Sequence, residues 1–431
     1  MPHIVIIGNG ISGITAARHI RKRSDTRITV ISGESEHFFS RTALMYVYMG
    51  HMRHIDIKPY EDHFWAKNRI ELKHAWVQQV DAEKKHVKLQ DGKTVDYDKL
   101  IIATGSASNK FGWPGQDLPG VQGLYSLQDL EAMELNTKGI TRAVIVGGGL
   151  IGVEMAEMLH SRNIPVTLLV RETIFWGGVL PNEEAGLIGR HIIENGIVLR
   201  MGTEMKEILP GANGRVCAVV TRTGEEIACQ FVGLTAGVHP NIAWLKDSTA
   251  IKTDKGVLVN EFLETNMPDI CAIGDCAQFH EHPDLQRKNI EQVWYTGRMM
   301  GETVAKTVTG ERTAYRPGHW FNSAKFFDLE YQTYGWVRHE LQPGEEGHYW
   351  EHTNGKVALH LVWDQKSRVL HGVNSIGLRL RHEVFDRWLE AKATVDHVVA
   401  HLEEAAFDPE FYEKMEPLIR MSFKQAKTVT A

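Results

Sequence analysis

Two glycine-rich fingers, Gly8-Asn9-Gly10-Ile11-Ser12-Gly13 and Gly147-Gly148-Gly149-Leu150-Ile151-Gly152, constrain the fold of this chain more than any other feature. Each follows a short β-branched run and opens a helical pattern. Ile4-Val5-Ile6-Ile7, before the first, is continuously apolar, as in a parallel strand buried on both faces. In such a finger the first glycine permits a tight turn, and the second lets the backbone approach a pyrophosphate. The third lets the following helix pack closely on the strand. That helix turns its free N–H groups and positive dipole end towards the phosphates.

The surroundings of the two copies repeat. After the first finger, Arg27-Ile28-Thr29-Val30-Ile31 reads as a second strand ending just before Glu34. That is where the motif needs a carboxylate for a ribose 2′-hydroxyl. Around the second finger, Arg142-Ala143-Val144-Ile145-Val146 is the strand and Leu150 through Leu159 the helix. Pro165-Val166-Thr167-Leu168-Leu169-Val170 is the next strand. A lone finger is weak, because glycines also mark ordinary turns. Strand, finger, helix and strand, twice over, is the context the motif requires. The chain therefore reads as holding two dinucleotides, whose joint chemistry is to pass electrons.

The remaining features agree with that reading. At 431 residues, about 150 residues per domain gives about three domains. Hydrophobic residues make up 43% and charged residues 24% of the chain, which describes a soluble globular protein. The net charge of −6 gives no broad nucleic-acid footprint, and no apolar run approaches the ~18–20 residues of a membrane span. The first strand begins at once, leaving no room for a cleavable signal. Cys217, Cys229, Cys271 and Cys276 show neither a disulfide framework nor paired CxxC spacing. A cytoplasmic, metal-free protein is expected. The 22 histidines are scattered, and His280 and His282, the nearest to a cluster, read as surface residues.

From Val77 to Leu100 short alternating runs predict a small antiparallel excursion. Lys99-Leu100-Ile101-Ile102-Ala103-Thr104-Gly105-Ser106 follows as a buried strand ending in small residues. Gly112 to Gly120 is a hinge. Leu234-Thr235-Ala236-Gly237-Val238-His239-Pro240-Asn241 runs from a strand into a turn. The segment Thr265 to Ala277 is a strand ending in the acidic turn Gly274-Asp275. From about Trp320 the texture alternates aromatic and polar residues, as in Lys325-Phe326-Phe327-Asp328-Leu329-Glu330-Tyr331, predicting an antiparallel sheet. From roughly Arg381 the chain reads as helical.

Four of these segments, in this order, resemble the pyridine nucleotide-disulfide oxidoreductase superfamily of two-dinucleotide-binding-domain flavoproteins. They are the N-terminal GxGxxG, the Ala103-Thr104-Gly105-Ser106 strand end, the central GGGxxGxE ending at Glu154, and the TxxPxIxAxGDxA segment. The resemblance implies an α/β fold: two Rossmann-like domains, the second inserted in the first, plus a C-terminal α+β domain. The implied boundaries are 1–112 and 253–318 for an FAD domain, 113–252 for an NAD(P)H domain and 319–431 for an interface domain. It also implies that a cofactor contacts Gly237, and that FAD contacts Gly8, Gly10, Ile11, Ser12, Gly13, Glu34, Arg41, Thr42, Ala103, Thr104, Gly105, Gly274 and Asp275. Asp275 would bind the ribityl chain or a flavin-side phosphate. NADH or NADPH would contact Gly147, Gly149, Leu150, Ile151, Gly152 and Glu154.

The first domain lacks one expected element. Disulfide reductases of the superfamily place a CxxxxC pair beyond the first nucleotide unit, and a related branch places one cysteine there. This chain has Ser40-Arg41-Thr42-Ala43-Leu44, with Thr42 about where the single cysteine would fall. A hydroxyl cannot form a mixed disulfide. The Ser-Arg-x-x-Leu pattern is similar to the ferredoxin, rubredoxin and nitrite reductase flavoproteins, where the arginine lies along FAD. Those relatives pair a lysine near the flavin with the glutamate of GxxGxE. Tyr46 stands at about the lysine's place, while Glu154 is kept, so Tyr46 and Glu154 are the candidate reacting-centre residues. Val170-Arg171-Glu172 ends the strand where a carboxylate would favour NADH; Arg171 tilts the reading towards NADPH. The expected activity is hydride transfer from NAD(P)H to FAD, then electron delivery to an external acceptor. That acceptor is a ferredoxin-like protein, a quinone or another small oxidant. A redox-sensing role is the alternative, with Phe407, Phe411, Tyr412 and Met415 as a helical docking face. Homodimerisation through the third domain is implied for disulfide-reductase-like members; ferredoxin-reductase-like members are often monomers.

Overall fold

The computed structural model describes residues 2–248, 250–407, 410 and 413–430. They fall into two compact units, one of 1–112, 116–139 and 234–317, the other of 113–115, 140–233 and 318–431.

The first unit is built on a five-stranded parallel sheet. Its order is Ile270–Ala272, Lys99–Ile102, His3–Ile7, Arg27–Ser32 and Ile70–His74. Its central strands are β-branched runs buried almost completely, as a sheet covered on both faces requires. The strand nearest the chain start thus lies between one that follows it directly and one that arrives late. Ligand sites form where strand order reverses in this way. The helix Ile11–Arg23 packs against Trp294–Val308, and glycines allow the close approach. A Cβ on Gly297 would come within 2.6 Å of Ser12 Oγ, and one on Gly301 within 2.6 Å of the Ser12 carbonyl. The antiparallel excursion consists of Val77–Asp81, His86–Leu89 and Thr94–Asp96.

The second unit repeats the parallel core with Ala143–Val146, Val166–Leu169 and Val198–Arg200. It continues into an antiparallel sheet ordered Phe321–Phe326, Leu329–Gly335, Leu370–Ile376, Ala358–Asp364 and Glu345–Glu351. Helices His382–Glu390, Val395–Ala400 and Glu416–Thr430 follow it. Phe385, Trp388, Ile419 and Phe423 share one apolar core with Leu361 and Val373 of that sheet.

Several sequence expectations change. The antiparallel sheet expected from Trp320 is present, and the aromatic run Lys325 to Tyr331 within it is a tight hairpin. Phe327 takes a left-handed φ of 57° at its turn. His282 is buried rather than exposed, its Nε2 3.1 Å from Glu291 Oε2, because Glu291, itself held by Arg287, and the Asp284 carbonyl satisfy its ring nitrogens. Residues 116–139 and 234–252, expected in the inserted domain, group with the first unit. Leu127–Asn136 is tied there by the Tyr48–Thr137 hydroxyl contact at 2.6 Å, and Val238–Pro240 pairs with Ser106–Ser108. Met415 is buried just before the last helix, while Phe407 is exposed; Phe411 and Tyr412 lie outside the described residues.

Candidate functional site

The first finger follows its strand with Gly8 at φ 109°, where a side chain is strained. A Cβ there would strike the Ala103 carbonyl, and one on Gly13 would strike the Gly8 carbonyl. Gly10 differs: its backbone is extended, and no atom lies within 4 Å of where its Cβ would stand. Gly8 and Gly13 are thus demanded by the protein's own packing, Gly10 by whatever approaches it. Helix Ile11–Arg23 has no side-chain cap and no acidic residue in its first turn, so its leading N–H groups stand ready for an anion.

These groups face a cavity of about 630 Å³, within the range of cofactor sites. Its walls hold Gly8, Gly10, Ile11, Ser12, Glu34, Arg41, Thr42, Ala103, Thr104, Gly105 and Asp275. Gly13 and Gly274 stand behind the wall as packing glycines, Gly274 with its missing Cβ against Ser12 Oγ. Gly237 does not line the cavity; its φ of 90° turns the chain beside Asn109. Tyr46 does not line it either. Its ring stacks on His51 with centroids 6.2 Å apart.

Glu34 and Arg41 form a bidentate pair, Nη1 to Oε1 at 2.7 Å and Nη2 to Oε2 at 2.6 Å. The Leu127 N–H also donates to Glu34 Oε1, and Arg41 donates to the Tyr125 carbonyl. The guanidinium lies over the Tyr125 ring, 4.6 Å from its centroid. Burial works against the Arg41 charge, but the Glu34 contacts more than offset it and hold the guanidinium above its ordinary pKa. A carboxylate has about four acceptor positions, so Glu34 keeps capacity for a ribose hydroxyl. Asp275 accepts from the Ser106 hydroxyl at 2.9 Å and from the Tyr125 hydroxyl at 3.3 Å. Burial pushes its carboxyl up despite those bonds and the nearby Arg41. This donor and acceptor set, with the open glycine and uncapped helix, fits a dinucleotide. Among the described residues no cysteine lines the cavity, and Thr42 occupies its wall.

Sequence reasoning missed Trp76, Tyr125, Trp244 and Trp294 in this wall. Trp76 covers Gly33, where any Cβ would enter the indole. None of the four belongs to a spaced motif, so no local signal in the sequence marks them.

In the second unit the other finger has the same anatomy. Gly147 has φ 119°, its N–H donates to the Leu169 carbonyl at 3.0 Å, and helix Leu150–Ser161 begins without a side-chain cap. Gly149 is the N-cap, Leu150 and Ile151 are half-buried in the first turn, and Gly152 is buried. Beyond the next strand, Arg171 is exposed and donates to Glu172 at 2.9 Å. Glu154, one turn into the helix, has its carboxyl pushed up to about 7 by burial and by Glu157, with Lys325 opposing. Among the described residues, no group of acidic, histidine and cysteine side chains forms a metal cage, and no helix is long and apolar enough to cross a membrane.

Comparison with known proteins gives this geometry a family. Rhodocoxin reductase of Rhodococcus erythropolis is 30% identical over 328 residues, spanning 75% of this chain and 76% of that protein. Nitric oxide reductase FlRd-NAD(+) reductase of Salmonella gallinarum is 29% identical over 303 residues, spanning 69% of this chain and 79% of that protein. The solved water-forming NADH oxidase from Lactobacillus brevis, bound to NADH, shares the fold at a TM-score of 0.82 and 18% identity, over 100% of this chain and 99% of that one. The model of the pyridine nucleotide-disulphide oxidoreductase family matches residues 2–301. The chain belongs to that family, as an FAD-dependent NAD(P)H oxidoreductase.

Proposed function

We propose that this chain is a cytoplasmic reductase that takes electrons from NAD(P)H and delivers them, through FAD, to a ferredoxin- or rubredoxin-like protein. The observation that carries this reading is a complete dinucleotide cavity in the first unit whose wall offers Thr42 and no cysteine. Without a thiol, electrons have no route through a mixed disulfide. The two relatives named above are a rhodocoxin reductase and a nitric oxide reductase FlRd-NAD(+) reductase, which supports the reading.

FAD, when bound, supplies the chemistry: it accepts a hydride from the nicotinamide and releases electrons onward. The chain's own residues bind and orient. The helix start at Ile11 and the open backbone at Gly10 would receive the pyrophosphate. Glu34, fixed by Arg41, would accept from the adenosine ribose, and Asp275 would contact the hydroxyl-rich chain on the flavin side. Gly147, Gly149 and the first turn from Leu150 would receive the nicotinamide nucleotide, and Arg171 would meet a 2′-phosphate if NADPH is the donor.

Anaerobic stopped-flow tests this. NADH or NADPH should bleach the flavin of the purified holoenzyme, and a ferredoxin or rubredoxin should then reoxidise it much faster than a quinone or oxygen does. Absence of bleaching with both nucleotides overturns the reading. Reoxidation by quinone or oxygen alone would make the protein a quinone reductase or an NADH oxidase instead.

A further inference from the structure

The superfamily members resembled most by the first-domain sequence place a lysine opposite the glutamate of the second finger, and here that position is Tyr46, stacked on His51. A different lysine, from the C-terminal sheet, reaches the same helix. Lys325 Nζ donates to Glu157 Oε1 at 2.8 Å. Glu157 lies three residues after Glu154, on the same face of helix Leu150–Ser161. It is buried, and its second oxygen, Oε2, has no hydrogen-bond partner among the described residues.

The charged surroundings of Glu154 are few. The helix packs on Ala143–Val146 and Val166–Leu169, which carry no ionisable side chain, and on Phe321–Phe326, which carries Lys325. The helix itself adds Glu157 and, at its far end, His160. One cation therefore stands near two neighbouring carboxyl groups, and it donates to Glu157. Two carboxylates this close to each other and to one ammonium favour keeping one proton.

We propose that Glu157 is a positioning residue that leaves a proton on Glu154, so that Glu154 meets the nicotinamide nucleotide as a hydrogen-bond donor, and that Lys325 acts on Glu154 through Glu157. Lys325 holds Glu157 as the carboxylate, and that carboxylate leaves the proton on Glu154. A protonated carboxyl can donate to an amide carbonyl such as the nicotinamide carboxamide; a carboxylate cannot. The raised proton affinity of Glu154, to about 7, agrees with this arrangement. The inference rests on the second finger's binding a nicotinamide nucleotide.

Infrared titration of the holoenzyme tests it, following the protonated-carboxyl C=O band between pH 5 and 9. The wild type should show a band that disappears with a midpoint near neutrality, and Glu154→Gln should abolish it. Lys325→Met should move the midpoint up and Glu157→Gln should move it down, each by about one pH unit, as loss of a single adjacent charge does. Lys325→Arg should leave it in place, which separates loss of charge from loss of fold. The proposal is overturned if both variants move the midpoint in one direction, or if neither moves it. The band needs no turnover, so failure of NADH and NADPH to bleach the flavin would sink the proposed function while leaving this titration to decide by itself.

Discussion

The two fingers share a backbone and differ in what stands behind them. Each has a left-handed first glycine whose N–H donates to the neighbouring parallel strand, Gly8 to Ile31 at 2.8 Å and Gly147 to Leu169 at 3.0 Å. Each opens an uncapped helix. Behind the first, Glu34 is clamped by Arg41 and by the Leu127 N–H inside a cavity whose far side is closed by Asp275. Behind the second, Arg171 is solvent-exposed and pairs with its neighbour Glu172. A carboxylate fixed by partly buried, charge-assisted bonds pre-organises a seat and slows release. An exposed arginine on a flexible stem adds attraction without that rigidity. Under the proposed function, the same motif would serve a resident cofactor in one place and a visiting substrate in the other.

The comparison can be broken at graded strengths. Gly13→Ala places a Cβ on the Gly8 carbonyl, and backbone cannot yield cheaply. It should cost about 3 kcal/mol or more of stability and leave purified protein without flavin, read by melting and by flavin-to-protein absorbance. Gly10→Ala is the sharper test, because nothing of the protein lies within 4 Å of the new methyl. The apoprotein should melt unchanged, yet flavin affinity should fall roughly 100-fold, about 2.7 kcal/mol; unchanged affinity would remove Gly10 from the phosphate site. Arg41→Ala strips Glu34 of its partner. Because the pair is partly exposed, the low end of the usual penalty applies, about 2 kcal/mol or roughly 30-fold faster flavin loss by dilution. Arg171→Ala should lower kcat/KM for NADPH about tenfold and leave NADH unaffected, as expected for one exposed phosphate contact. Equal loss with both nucleotides would show that Arg171 reads no phosphate.

What the sequence made legible follows from how each feature is encoded. Gly8, Gly13, Glu34 and Asp275 stand at offsets imposed by backbone geometry along one strand-turn-helix unit, so a linear reading finds them. Trp76, Tyr125, Trp244 and Trp294 meet in the same cavity only because separate segments fold back onto one sheet edge, and no local period records that. The Phe327 turn was hidden for a related reason. A bulky aromatic at φ 57° runs against its own preference, so the alternating texture that predicts the sheet does not place its turn. His282 looked exposed because its composition is polar, whereas its burial depends on Glu291 and Arg287 further along the chain. Lys325 belongs to this class too: 168 residues separate it from Glu157.

The helix Trp294–Val308 lies against the first-finger helix, and Gly297 and Gly301 let it approach Ser12 closely. This sets an order in time. During synthesis the first finger emerges from the ribosome early, but the strand Ile270–Ala272, Asp275 and Gly301 that complete its site are made last among the first unit's parts. The second finger and its flanking strands, Ala143–Val146 through Val198–Arg200, are contiguous and emerge sooner. The seat for the resident cofactor is therefore begun first and finished after the substrate's own strands have been made, and a nascent chain shorter than about three hundred residues has no complete place to hold its flavin.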